Sequence, residues 1–203
     1  MSLPSRSPLR IGAVVLAAGA STRMGRPKQL LPLQGSPLIV RTVDTLLATP
    51  VWPVVVVLGS HAEEIRPLLA RRPVIIAENA AWPEGLASSV RSGIETLQQF
   101  SRDLDAALFT VCDQPAFSSQ IVEKLIAALP AQPHGIAACF YSGRNGVPAL
   151  LRRNHFATLA ALTGDTGARD LLNGNTTDVA RVDAPELATD LDTPNDYAAA
   201  TAI

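Results

Sequence analysis

The chain of 203 residues has the length of one ordinary domain, and its hydrophobic fraction of 47% is enough to form a sizeable core. Its 17 Lys and Arg residues nearly balance its 18 Asp and Glu residues, and the net charge of -1 argues against nucleic-acid binding or attraction to an anionic membrane. The cysteines Cys112 and Cys139 form no CxxC pair, which argues against a zinc knot or a disulfide framework. We therefore expect one globular domain in a reducing compartment.

The first ten residues are polar and include Pro and Ser, and the apolar run that follows them is short and interrupted by glycine. This pattern predicts neither a signal peptide nor a membrane-spanning helix. We expect residues 1–10 to be disordered and residues 1–203 to contain a single domain. The predicted location is the cytoplasm, without a membrane or nucleic-acid partner.

Apolar runs of strand length alternate along the chain with segments of helical periodicity. Strands are predicted at residues 13–18, 54–58, 74–77, 106–112, 136–141 and 179–182. Helical spacing of apolar residues predicts helices within residues 38–47, 62–69, 86–97 and 121–129. Repeated βα units of this kind are typical of a three-layer, Rossmann-like α/β fold with a mostly parallel sheet buried on both faces.

The alternation becomes less regular after Tyr141. Residues 142–148 predict a turn that leads into a short extended segment, and a helix is predicted near residues 154–162. Because no shift in composition marks a second domain, we interpret residues 142–175 as an elaboration on the substrate side of the same sheet. A last helix is predicted to begin with Thr193 as its N-cap and Pro194 at its first helical position.

The segment that follows the first predicted strand carries the first candidate binding site. Ligands of open α/β sheets bind beyond the carboxyl ends of the strands. The segment is not a GxGxxG motif, because position 21 is Ser21, nor a Walker A loop, because Met24 and the Gly-Arg pair after it replace Gly-Lys-Ser/Thr. It is a loop of small residues whose backbone N–H groups can approach an anion, with Arg23 and Lys28 adding positive charge. A glycine turn with exposed arginines is the alternative interpretation.

Carboxylates follow two further strand ends. Asp113 emerges directly from the predicted strand 106–112, where a carboxylate needs a cation, hydrogen-bond donors or water. Asp190 and Asp192 are separated by one residue and would point to one side of an extended segment. A helix-capping or turn role is the alternative for these acids, although a cap explains only one of the pair. Combined with the loop and Lys28, the acids suggest a nucleoside triphosphate with Mg²⁺ bridging its phosphates.

The motif L-A-A-G-x-S-x-R-M-G-x-x-K-x-L-L at residues 16–31 closely resembles the signature of the nucleotidyltransferases that include molybdenum cofactor cytidylyltransferases and guanylyltransferases. Further matching motifs begin at Asn79, Asp113, Gly143, Gly164 and Asp190, so the resemblance spans about residues 11 to 200. Ala18 and the Gly-Asp-x-Gly-Ala-Arg element at residues 164–169 are more similar to the cytidylyltransferase branch.

The resemblance implies a role for each matched residue. The implied nucleotide-binding residues are Leu16, Ala17, Ala18, Gly19, Arg23, Lys28, Asn79 and Ser89. Arg23, Lys28 and Asp113 are the implied catalytic residues, with Mg²⁺ held by Asp113 and Asp192, or by Asp190 in place of Asp192. The implied residues on the pterin side are Gly143, Gly146, Asp165 and Arg169.

The implied reaction converts CTP and molybdopterin-bound molybdenum into the cytosine dinucleotide form of the cofactor and pyrophosphate. Such a reaction needs no protein nucleophile, because positioning and charge neutralisation supply the catalysis. A molybdenum hydroxylase is the implied client. Two alternatives are transfer of the nucleotidyl group to another phosphorylated acceptor and a non-catalytic carrier that hands the pterin cofactor to the hydroxylase.

Overall fold

The computed structural model describes residues 9–129, 135–165, 167–174 and 179–201. Their strands are β1 (Ile11–Ala17), β2 (Pro32–Leu33), β3 (Ser36–Pro37), β4 (Val54–Leu58), β5 (Ile75–Glu78), β6 (Ala106–Val111), β7 (Ile136–Tyr141), β8 (Arg144–Arg152) and β9 (Val179–Asp183). Their α-helices are α1 (Leu38–Leu47), α2 (Ala62–Leu69), α3 (Leu86–Phe100), α4 (Ser119–Ala128), α5 (Phe156–Ala160), α6 (Arg169–Asn173) and α7 (Pro194–Thr201). None of the helices in these ranges is both long and apolar enough to cross a membrane.

Seven strands form one sheet in the order β5-β4-β1-β6-β8-β7-β9, while β2 and β3 pair as a separate hairpin. Six of the seven strands run parallel to one another, and β8 runs antiparallel to both of its neighbours. The two strands at the centre of the parallel part, β1 and β4, are apolar and buried along their whole length. This architecture confirms the prediction of a mostly parallel α/β sheet with helices on both faces.

Alternate side chains of β1 point into two separate hydrophobic layers. Val15 packs in one cluster with Ile39 of α1 and Ile65 of α2, while Val14 packs in the other with residues of α3 and α5. Helix α3 lies close to β1 at Gly93, where any added Cβ would overlap the side chain of Val14. Glycine at this position therefore lets α3 sit directly over β1, which brings the N-terminus of the helix to the carboxyl edge of the sheet.

Strand β8 corrects the prediction of a short extended segment after Tyr141. It is nine residues long and lies between β6 and β7, where Leu108 faces Leu150 and Ala138 faces Ala149. Its apolar half is buried because it fills a central position in the sheet. Residues 142–175 therefore contain a core strand as well as an elaboration. The helix predicted near residues 154–162 is shorter and consists of a 3-10 turn followed by α5.

The N-terminal prediction of disorder falls mainly on residues 1–8, which lie outside the described residues. Arg10 is tied to the domain, because its backbone N–H donates a hydrogen bond of 2.8 Å to Asp105 Oδ2. The Arg10 guanidinium also lies 3.4 Å from Asp103 and 3.6 Å from Asp105. These contacts attach the residue before β1 to the segment that precedes β6.

Candidate active site

The loop after β1 is braced from within by one buried side chain. Gln29 is 1% exposed, and its Nε2 donates hydrogen bonds to the carbonyl oxygens of Ala17 (2.9 Å) and Gly19 (3.0 Å). Ser21, which has the left-handed φ of 55°, donates from its hydroxyl to Gln29 Oε1 and accepts the backbone N–H of Lys28. Gln29 was absent from the predicted site residues. Its place in the sequence directly after the motif lysine was the only signal.

Four charged side chains meet at the junction of this loop with the end of β6. Lys28 Nζ contacts Asp113 Oδ2 and lies 3.1 Å from Asp192 Oδ1. Arg23 Nη2 lies 2.8 Å from the other oxygen of Asp192. Burial lowers the pKa of Lys28, but the carboxylates of Asp113 and then Asp192 outweigh that effect, so its net pKa is above the ordinary value. Lys28 is therefore positively charged at neutral pH.

The two acids that precede α7 are placed differently from each other. Leu191 between them is fully buried, and its N–H donates to the carbonyl oxygen of Asp113 (2.9 Å). Asp192 joins the charged cluster, whereas Asp190 lines a cavity on the far side of Asp113. Burial, followed by the nearby charge of Asp113, raises the pKa of the Asp190 carboxyl.

Helix α7 begins with the N-cap predicted from the sequence. Thr193 donates from its N–H and its hydroxyl to Asp196 Oδ2, each at 2.8 Å, and its hydroxyl oxygen accepts the N–H of Asp196 at 3.3 Å. These reciprocal bonds form a capping box. They lower the pKa of the Asp196 carboxyl and fix the start of the helix directly after Asp192.

The carboxylates of Asp113 and Asp192 fit a divalent cation that arrives with a nucleotide. No group of three or more His, Cys, Asp or Glu side chains suited to a metal occurs within the described residues. Asp113 Oδ1 is nevertheless buried without a hydrogen-bond partner, which leaves an oxygen for a hard cation. Because Mg²⁺ is commonly held by one or two carboxylates together with substrate phosphates and water, a pair of acids is a sufficient protein contribution.

A cavity of about 540 Å³ lies between the β1 loop and the N-terminus of α3. The predicted residues that line it are Leu16, Ala17, Ala18, Gly19, Arg23, Lys28, Ser89, Asp113 and Asp165. Asp165 was predicted on the pterin side, but its carboxylate accepts the N–H of Leu86 (3.3 Å) at the start of α3 and lies in the wall of this first cavity.

Asn79 lies behind this cavity and supports its wall. Its Nδ2 donates to the hydroxyl oxygens of Ser88 (2.9 Å) and Ser89 (3.1 Å), and its Oδ1 accepts the N–H of Ala81. Ser88 in turn donates to the carbonyl oxygen of Gly85. Ser89 is the member of this set that lines the cavity, so its hydroxyl is available to a nucleotide there.

A second cavity of about 210 Å³ adjoins the first and shares Asp113 with it. The predicted acceptor residues Gly146 and Arg169 line this second cavity. Gly143 lies in the turn between β7 and β8, where its φ is 75°, and is not part of the lining. Gly146 permits a close approach, because an added Cβ would overlap the hydroxyl of Tyr141.

The second cavity is also lined by polar side chains that were not among the predicted site residues. The Tyr141 hydroxyl donates to the carbonyl oxygen of Val147 (2.8 Å) and accepts from Gln114 Nε2 (3.0 Å). Gln114 Oε1 and Asn145 Oδ1 are buried there without a hydrogen-bond partner. Gln114 follows Asp113 in a matched motif, which was its signal in the sequence. Tyr141 and Asn145 carried none, since their contacts depend on the position of β8.

Comparisons with a family model and with individual proteins agree on one family. Residues 13–182 match the family described as "MobA-like NTP transferase domain". The chain is 31% identical to purine catabolism protein PucB of Bacillus subtilis, over 95% of this chain and 96% of the relative. It is 29% identical to a molybdenum cofactor guanylyltransferase of Rhodobacter capsulatus, over 95% of each chain.

Solved structures agree with this match. A homologue of Mycobacterium tuberculosis Rv0371c from Mycobacterium sp. strain JC1 superimposes with a TM-score of 0.79 at 32% identity, covering 96% of this chain and 97% of the other. Rv0371c of Mycobacterium tuberculosis H37Rv, solved in complex with manganese, gives a TM-score of 0.72 at 26% identity, covering 97% and 100%. The chain belongs to the MobA-like NTP transferase family and is a nucleotidyltransferase.

Proposed function

We propose that this nucleotidyltransferase is a molybdenum cofactor cytidylyltransferase, which transfers CMP from CTP to molybdopterin-bound molybdenum and releases pyrophosphate. The observation that carries the proposal is the pair of adjoining cavities that share Asp113, with Lys28 at the wall of the first. The first cavity has the charge and size for a nucleoside triphosphate, and the second offers Arg144 and Arg169 to an anionic acceptor. The named function of the Rhodobacter capsulatus relative supports a pterin acceptor.

In the proposed reaction the chain positions two phosphate groups and neutralises charge. The backbone of the β1 loop, braced by Gln29, orients the triphosphate, while Arg23 and Lys28 offset the charge of the departing pyrophosphate. A terminal phosphate oxygen of the acceptor forms a bond to the α-phosphorus as the bond from that phosphorus to the leaving pyrophosphate oxygen breaks. Asp113 and Asp192 would hold Mg²⁺, which would offset the negative charge of the phosphates.

The choice of CTP rests on the wall of the first cavity. Ser89 presents one hydroxyl, which suits the small polar edge of a pyrimidine. Ala18 lies in the same wall, where the related guanylyltransferases tend to have glycine, so the site has slightly less room. A purine that leaves buried polar groups unpaired is rejected by several kcal/mol, which corresponds to at least about 10²-fold in kcat/KM.

Measuring kcat/KM for CTP and for GTP with the same pterin acceptor tests this choice. We expect a preference for CTP of at least about 10²-fold. Equal values or a preference for GTP would contradict the cytidylyltransferase proposal, while the family assignment would stand. In the proposed setting the enzyme acts in the cytoplasm with Mg²⁺, and its product serves a molybdenum hydroxylase.

A further inference from the structure

The carboxylates proposed to hold the metal are already occupied by cations of the chain itself. Of the four carboxylate oxygens of Asp113 and Asp192, one from each contacts Lys28 Nζ, and the second oxygen of Asp192 lies 2.8 Å from Arg23 Nη2. The remaining oxygen, Asp113 Oδ1, is buried without a hydrogen-bond partner. Lys28 therefore lies between the two acids and pairs with both of them.

Electrostatics makes this arrangement unfavourable for a metal ion on its own. The side chains of Lys28 and Asp113 are 21% and 13% exposed, so solvent screens their charges only partly. A divalent cation entering between the acids would meet the Lys28 ammonium within a few ångströms and would have to displace it from both carboxylates. Displacement without a replacement partner would leave the ammonium partly buried and unpaired, which is costly.

A triphosphate supplies that replacement partner. Lys28 and Arg23 line the same cavity as the β1 loop, so both can turn toward phosphate oxygens there. Lys28 carries its charge on a flexible four-carbon stem. The Arg23 side chain is 72% exposed and has room to move. Each contact that these cations make with a phosphate releases a carboxylate oxygen for the metal.

We propose that Lys28 couples metal binding to nucleotide binding. Its ammonium pairs with Asp113 and Asp192 and keeps the metal from these carboxylates until a bound triphosphate attracts the ammonium to its phosphate oxygens. The inference rests on the proposed function in one respect, which is the assignment of these two acids as metal ligands. The base and the acceptor do not enter it. Because coupling between two binding sites is reciprocal, the metal and the nucleotide must strengthen each other's binding by the same factor.

The first test is the affinity of the nucleotide-free protein for Mn²⁺ alone, measured from the electron paramagnetic resonance signal of free Mn²⁺. Lys28→Met keeps an unbranched side chain, one atom shorter, and removes its charge, so we expect it to bind Mn²⁺ at least about 10-fold more tightly than the original protein. Lys28→Arg keeps the charge and should bind as weakly as the original. Lys124→Met is the matched control, because Lys124 is exposed on α4 and lines neither cavity.

The second test is calorimetric titration with CTP and GTP analogues that have a methylene bridge between their α- and β-phosphates, with Mn²⁺ or with EDTA, and it uses whichever analogue binds. In the original protein Mn²⁺ should tighten binding of the analogue at least about 10-fold, and in Lys28→Met this gain should shrink. A circular dichroism spectrum checks that each variant is folded.

The inference would be overturned if folded Lys28→Met bound Mn²⁺ no more tightly than the original protein. It would also be overturned, whatever the fate of that variant, if the original protein bound Mn²⁺ equally well with and without the analogue. Failure of Mn²⁺ to bind even in the presence of the analogue would instead refute the metal ligands in the proposed function, and the coupling with them. The three results are therefore distinguishable.

Discussion

The two cavities on either side of Asp113 are built in different ways. The first is lined on one side by one continuous loop, whose backbone is braced by Gln29 and whose charges come from Arg23 and Lys28, and on the other side by the start of α3. The second is assembled from β6, β8, α3, α6 and the segment before α7, and most of its lining is apolar. Its buried amide oxygens on Gln114 and Asn145 have no hydrogen-bond partner.

This difference separates a general task from a specific one. Any triphosphate presents the same anionic oxygens, so a loop of backbone N–H groups with two cations can hold the phosphates of every nucleotide, and the choice of base falls to other parts of the wall. An acceptor must be distinguished by its shape and its polar groups, which requires side chains brought together from distant parts of the chain. Substitutions in the first cavity should therefore affect the chemical step, and substitutions in the second should affect acceptor binding.

The largest effect is expected for Lys28→Met. Loss of a preorganised charge beside the departing pyrophosphate should lower kcat by about 10²- to 10³-fold. Because the charge matters most as the leaving group develops, the KM for the nucleotide should change much less. Steady-state kinetics at saturating acceptor measures both. An effect confined to KM would show that Lys28 only binds the nucleotide.

Asp113→Asn is expected to lower turnover by at least about 10²-fold, because the substitution keeps the volume of the side chain and removes the charge that a metal requires. The control is Asp183→Asn, since Asp183 is exposed on β9 and lines neither cavity. Unchanged circular dichroism would show that the fold is retained. Near-normal turnover of Asp113→Asn at saturating Mg²⁺ would remove Asp113 from the metal site.

Arg169→Ala addresses the second cavity and should raise the KM for the acceptor by about 10-fold, which is the effect of one charge-assisted hydrogen bond of modest strength. The KM for the nucleotide should stay the same, because Arg169 lines the second cavity and not the first. The exposed Arg102, which lines neither cavity, provides the control substitution Arg102→Ala. Equal changes in both KM values would show that the two cavities do not act separately.

The smallest effect is expected on stability, from Asp190→Asn. Burial, and then the charge of Asp113, raises the folded-state pKa of Asp190 above its ordinary 3.8. Between the two pKa values the native state binds more protons than the unfolded state, so this group lowers stability as pH rises through that range. The asparagine variant has no carboxyl group at this position, so its stability does not fall with pH for this reason.

The Tm of Asp190→Asn should therefore match that of the original protein below the ordinary pKa of the carboxyl and should exceed it at neutral pH. Thermal unfolding of both proteins at a series of pH values, without metal or nucleotide, measures the difference. A Tm difference that is independent of pH would contradict the inferred burial of the charge.

The contrast between the cavities also explains how much could be predicted from the sequence. The parallel strands and the loop after β1 carry their signals locally, as apolar runs and as a motif of closely spaced residues, so the β7 bounds and the positions of Lys28 and Asp113 were found. Hydrophobic periodicity and strand-end chemistry are sufficient for features of this kind. The placement of Arg23 and the N-cap Thr193 followed from the same local evidence, whereas Ser89, which also lines the first cavity, was implied only by the family resemblance.

The features that were missed depend on contacts across long stretches of the chain. Strand β8 begins with turn-forming Gly and Asn residues, and its position between β6 and β7 is fixed only by pairing with strands on either side. The hydrogen bond from Gln114 to Tyr141 joins residues 27 positions apart and exists only once β8 is in place. Asp165 was assigned to the acceptor from the family resemblance, and its contact with the start of α3, 79 positions away, could not be read from the sequence.

The most direct measurement of the proposed activity is pyrophosphate release by the purified protein with Mg²⁺, molybdopterin-bound molybdenum and each nucleoside triphosphate in turn. We expect release with CTP that requires the pterin acceptor, together with formation of the cytosine dinucleotide product detected by mass spectrometry. Tight binding of the pterin without pyrophosphate release from any nucleotide would contradict the proposed reaction and would favour a carrier of the cofactor.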